Sequence, residues 1–141
     1  MGKYDKFEQY VNNFMSKEGM GPLEIGNRID ERLKHFQNMG DISEMERDAL
    51  RHYYGARAVS KAYGTTLARI GGWMHEGLDS IFPWENDAQR DADLYNNELA
   101  FSHIKEGIGS DFDLTQTSAE DLKETLKILQ IPPPLLKRGE Y

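Results

Sequence analysis

The chain has 141 residues, 38% hydrophobic and 29% charged, with a net charge of −7 and no cysteine. That suits one water-soluble domain with a buried core, and it excludes disulfides, thiolate zinc ligands and thiol catalysis. The acidic balance argues against broad nucleic-acid binding, no run of about 18 apolar residues is available to span a membrane, and Met1–Tyr10 lacks the apolar stretch of a secretory signal.

Tyr4, Phe7, Tyr10, Val11 and Phe14 recur at three- and four-residue intervals, which predicts an amphipathic helix ending near Lys17, before Gly19-Met20-Gly21-Pro22. A second helix runs from about Pro22 to Met39, with Leu23, Ile25, Ile29, Leu33 and Phe36 on one side and Gly40 as its stop. Ser43 followed by Glu46 forms a capping box, so a third helix is expected to begin there and continue to about Tyr63, before Gly64. Its inward stripe, Met45, Ala49, Ala56 and Val59, is short and small. The fourth starts after Thr65 or Thr66, carries Leu67, Ile70, Met74 and Leu78, and stops before Phe82-Pro83-Trp84.

Asp87 is a cap for a fifth helix reaching about Glu106, with Ala88, Ala92, Tyr95, Leu99 and Ile104 expected to face inward. Gly107 to Thr117 reads as a loop, and Ser118 with Asp121 opens a sixth helix striped by Leu122, Leu126 and Leu129. The run Ile131-Pro132-Pro133-Pro134-Leu135-Leu136 predicts extended, polyproline-like chain. The expected fold is therefore all-α: a single-domain bundle of five to six helices over residues 1–130, then an extended Pro-rich arm over 131–141.

Helical spacing pairs Asp48 with His52, His75 with Asp79 and Asp93 with Asn97, one polar pair on each of three successive helices. His52 is in line with Ala49, Ala56 and Val59 and should point inward, whereas Gly71 and Gly72 leave room one turn before His75. Asn96 lies between Ala92 and Ala100 on a small apolar strip. Imidazoles and carboxylates of this kind suit a divalent metal such as zinc with a position left open for water. His52, His75 and Asp93 are the expected ligands, Glu76 is the first choice of general base, and Arg51 is placed to neutralise an oxyanion or hold a phosphate. Asp48, Asp79, Asn96 and Asn97 are the expected orienting residues. The competing possibility is a closed hydrogen-bond and ion-pair network that only fixes how three helices dock. His35 and His103 read as surface or boundary residues, and Asp111, Asp113, Glu120 and Asp121 as a solvated loop and a helix start, with Asp111-Phe112-Asp113 a weak cation site at most. Trp73, Phe82 and Trp84 read as packing.

The strings Asp48-Ala49-Leu50-Arg51-His52, His75-Glu76 and Asp93-Leu94-Tyr95-Asn96-Asn97 together resemble a small helical domain of phage and bacterial proteins, of unknown function, whose signature is Asp-Ala-x-Arg-His, His-Glu and Asp-x-x-Asn-Asn. The likeness covers about Arg47 to Ala100. It implies a hydrolase-type or metal site on His52, His75, Glu76 and Asp93, and a phage-encoded protein located in the host cytoplasm or the virion. Tyr95 departs from relatives in which a His precedes the Asn pair, which removes one ligand. Two functions are expected from these signals. The first is a helical interaction or virion-assembly protein that docks partners through Ile131, Pro132, Pro133, Pro134, Leu135 and Leu136, with oligomers compatible with it. The second is a small metal-dependent hydrolase acting on peptidoglycan or a phosphoester through His52, His75, Glu76 and Asp93, assisted by Arg51.

Overall fold

The computed structural model describes residues 22–68 and 87–131. Among them the chain is helical, with no strand: α1 (Pro22–Asn38), α2 (Glu44–Tyr63), α3 (Asp87–Glu106) and α4 (Ala119–Leu126), with a helical turn at Thr65–Leu67 after α2. The expected helix before Lys17, the positions Ile70, Trp73, Met74, Leu78, Phe82 and Trp84, and the segment Pro132–Leu136 lie outside the described residues.

Local chemistry explains where these helices begin and end. The Ser43 hydroxyl accepts from the Glu46 backbone N–H, the Glu46 carboxylate accepts from the Ser43 N–H, and Ser118 with Asp121 repeats the arrangement at the start of α4. Each box satisfies two of the backbone donors that a helix start leaves orphaned. At the other ends Gly40, Gly64 and Gly107 take positive φ, a conformation that costs a residue with a Cβ.

Among the described residues helix α2 is the central element, packed by α1, α3 and α4. Its expected stripe of small residues is only part of what it buries. Leu50, Tyr53, Tyr54, Gly55 and Arg57 are buried as well, because neighbours cover the helix on several sides, while Met45 is half-buried. Ile29, Leu33 and Phe36 from α1, Ala100 and Phe101 from α3, Leu122 from α4, and Ile42 and Ala68 join α2 in the core of the described residues. Burying a side chain such as Leu33, Leu50 or Leu122 is worth about 1.5–3 kcal/mol. At the α1–α2 seam, Arg47 donates to Asp30 Oδ1 at 3.0 Å and to Gln37 Oε1 at 2.8 Å.

The inward face of α3 differs from the one expected. Ala88 and Tyr95 are exposed, and Leu99 and Ile104 are only half-buried. The buried set is Ala92, Asp93, Asn96, Asn97, Ala100 and Phe101. Apolarity alone misplaces the face because three of its six members are polar. Their burial is tolerated where partners across the interface hydrogen-bond them.

The loop after α3 is clasped to α2. Arg57, 5% exposed, donates through Nε to Asp111 Oδ1 at 3.0 Å and through Nη1 to the Ile108 carbonyl at 2.7 Å, and Lys61 also pairs with Asp111. Asp111 is thus not simply a solvated loop acid. Asp113 caps its own turn by accepting from the backbone N–H groups of Thr115 and Gln116.

Candidate metal centre

Two helices bring the central polar residues together. The α2 periodicity stacks Asp48 over His52, and α3 places Asp93 over Asn97, so the α2–α3 interface collects two carboxylates, an imidazole and a carboxamide. His52 is 1% exposed, Asn97 2% and Asp93 5%. His52 Nε2 lies 3.4 Å from Asp93 Oδ1 and 3.8 Å from Asp48 Oδ1, and ligand atoms of all three residues fall within 4.8 Å of one another.

The other face of the ring decides what Nε2 can do. His52 Nδ1 is 3.0 Å from Asn97 Oδ1, a carboxamide oxygen that can only accept, so Nδ1 carries the proton. Nε2 is then the atom turned toward two carboxylate oxygens. As a bare lone pair it would face two acceptor oxygens, with the Arg51 guanidinium 3.5 Å away, and a positive species between ring and carboxylates would relieve that contact. A proton meets that need by making the ring an imidazolium, and a divalent cation is the other occupant. The distances suit a cation: ligand atoms bound at about 2.1 Å around a tetrahedral zinc are separated by about 3.4 Å. A ring nitrogen bound to metal with its partner nitrogen donating to an oxygen is also the usual support for a histidine ligand.

Without a cation, the electrostatics of the cluster are those of the protonated ring. Burial alone would push the Asp48 carboxyl up, but the His52 charge, a hydrogen bond with Asp93 and the adjacent Arg51 guanidinium outweigh it and hold the group below the usual carboxylate range. Arg51 Nη2 donates to Asp48 Oδ1 at 2.7 Å and lies 3.5 Å from His52 Nε2. The cluster does not close on itself: Asn97 Nδ2 is buried with no hydrogen-bond partner among the described residues. An orphaned donor of this kind costs about 1–3 kcal/mol, which argues against a purely self-satisfied network.

No family model, curated protein or solved structure matches the chain.

Of the residues singled out from the sequence, Asp48, Arg51, His52, Asp93 and Asn97 converge here, with Asp48 in position to be a ligand itself. Asn96 does not orient the site. Its Nδ2 donates to the Gln130 carbonyl at 2.7 Å and its Oδ1 accepts from the Gln130 N–H at 2.9 Å, so it grips the backbone after α4 in both directions. The next residue, Ile131, is 43% exposed. His75, Glu76, Asp79 and Pro132–Leu136 lie outside the described residues. Sequence reading missed a second polar cluster, in which Tyr53 O–H bonds His103 Nδ1 at 2.7 Å and Arg57 Nη1 lies 3.4 Å from the same hydroxyl. The four-residue steps Tyr53, Arg57 and Lys61 were its available signal. With the Arg57 fork spent on Asp111, the Ile108 carbonyl and Tyr53, that cluster reads as a loop clasp.

Proposed function

We propose that this protein is a small helical hydrolase that works through a divalent cation held by Asp48, His52 and Asp93. The observation that carries the reading is His52 Nε2 facing two carboxylate oxygens at 3.4 and 3.8 Å while Asn97 holds Nδ1. Three protein ligands leave a position for water or substrate, which is the pattern of a working centre and not of a purely structural one. The cation, when bound, supplies Lewis acidity to a water molecule or to an oxygen of the scissile group. The chain's own part is to fix the ring through Asn97, to present the two carboxylates, and to set the Arg51 guanidinium at the rim. Hydrolysis then adds water across the scissile bond, with hydroxyl to the electrophilic atom and the proton to the leaving group. Glu76 as general base belongs to the same proposal, while Asp48 takes the ligand place that the sequence suggested for His75, which keeps the fourth position open.

Metal analysis of untagged protein tests it. One equivalent of zinc or manganese should bind wild type and be lost in His52→Ala and Asp93→Asn, together with turnover of a chromogenic ester. Wild type that takes up no divalent cation while remaining folded would sink the proposal.

A second role, interaction or virion assembly in a phage, is supported by the Asn96 grip on Gln130, which anchors the chain immediately before the apolar stretch Ile131–Leu136. The apolar, Pro-rich sequence of that stretch suits a partner's groove at low entropic cost. Deletion of residues 131–141 should leave melting unchanged and abolish binding to a phage structural protein. Collapse of the fold on deletion would overturn this role.

A further inference from the structure

Contacts between α2 and α3 climb both helices in step. Gln89 Nε2 lies 3.9 Å from Met45 Sδ, His52 Nε2 3.4 Å from Asp93 Oδ1, His52 Nδ1 3.0 Å from Asn97 Oδ1, and the Tyr53 hydroxyl 2.7 Å from His103 Nδ1. Residue numbers rise together on the two helices, so the helices run parallel and both start at the same end of their interface. This order gives the centre a direction. Asn97 holds Nδ1 from the side of the helix ends, so Nε2 and the carboxylates of Asp48 and Asp93 face back toward the helix starts. Met45 stands three residues before Asp48 and Gln89 four before Asp93, so each shares the face of its aspartate one turn nearer the start. Among the described residues, the contact between Met45 and Gln89 is therefore the next rung beyond the cluster, on the side that Nε2 faces.

Three observations make that rung an entrance and not a seal. His52 and Asp93 are 1% and 5% exposed, whereas the Asp48 side chain is 26% exposed, which puts the open side of the cluster at Asp48. Met45 is half-buried, unlike Ala49, Ala56 and Val59 further along its stripe, which are fully buried. Its contact with Gln89 is a long one to a thioether, a weak acceptor on an unbranched side chain with several rotatable bonds, so it parts at little cost. Resting on the cation reading, we propose that Met45 is the gate of this centre. Closed against Gln89, its side chain covers the route to Nε2, and it swings aside to admit the cation and then the substrate group that takes the open position. The same side chain walls that position and sets how bulky a group can follow the cation in.

Zinc exchange in the full-length protein, followed by stopped flow with a chromophoric chelator, tests the gate. Met45→Ala should raise the rates of zinc uptake and release together, by about 5-fold or more, and leave the equilibrium affinity unchanged, because a gate lies on the path and not among the ligands. Met45→Leu conserves the volume and should exchange zinc like wild type. Gln89→Ala removes the other half of the rung and should speed exchange as Met45→Ala does, and it carries the test if Met45→Ala does not fold. Unchanged rates in the alanine variants, an affinity that falls with Met45→Ala, or exchange equally fast in Met45→Leu and Met45→Ala would each overturn the gate and leave the cation reading standing. No zinc uptake by folded wild type would remove both.

Discussion

At His52 the two ring nitrogens meet different neighbours. Asn97 Oδ1 holds one ring nitrogen and the two aspartates face the other, so a truncation at Asn97 should be felt at a distance from the cation itself. Asn97→Ala is expected to weaken zinc or manganese binding by about 10- to 100-fold, read by calorimetry, because the ring loses the bond that sets its tautomer. Unchanged affinity would mean that His52 is oriented by packing alone. Gly109 offers a contrast in which sterics rule. At φ +81° an added Cβ would lie 2.6 Å from the Tyr53 hydroxyl and 2.7 Å from Arg57 Nη1, whereas Gly40, at φ +84°, has open space around it. Gly109→Ala should therefore cost more than the about 1–3 kcal/mol of backbone strain expected for Gly40→Ala, as measured by chemical denaturation. Equal losses would show that the Arg57 clasp yields freely.

Among the elements, α2 and α4 start on reciprocal caps and α3 carries the polar face. Removing either capping hydroxyl, Ser43→Ala or Ser118→Ala, is expected to lower stability by about 1 kcal/mol. Both effects should appear as shifted denaturation midpoints with cation affinity retained, since neither serine touches the centre. The seam between α3 and the segment after α4 depends on Asn96. Asn96→Ala removes both bonds to Gln130, so amide exchange at Gln130 should rise while the His52 cluster stays intact. Protection that persists would place the anchorage elsewhere.

At the scale of the whole molecule the titratable groups set a pH window. Asp48, Asp111 and Asp113 all sit below the usual carboxylate range. Burial opposes this at Asp48 and Asp111 and is outweighed by charge and hydrogen bonding, while at Asp113 the backbone bonds from its own turn act first. For a carboxyl depressed on folding, the stabilisation is present above the unfolded value of about 4 and is lost as pH falls through the folded value. Burial pushes the Tyr53 and Tyr54 phenols up, so their contribution holds below about pH 10 and is lost as pH rises toward their folded values. Melting temperature should therefore stay flat through neutrality and fall at both ends. A decline beginning at pH 6 would point to a different controlling group. Cation affinity should also fall as pH is lowered, because protons compete for Nε2 and the carboxylates.

What the sequence determined by itself is what local physics decides. Capping boxes at Ser43 and Ser118, stops at Gly40, Gly64 and Gly107, and the stacking of Asp48 on His52 and Asp93 on Asn97 all depend on residues within four positions of one another. Helical periodicity turns such spacing directly into geometry. Only the tertiary structure decided that Asn97, 45 positions after His52, tethers its ring, that Asn96 instead turns to Gln130, 34 positions on, and that Arg57 reaches Asp111. These pairings follow from how the helices rotate against one another. On α3 that rotation is governed by which buried polar groups find partners, a property of the packed interface that no segment carries alone.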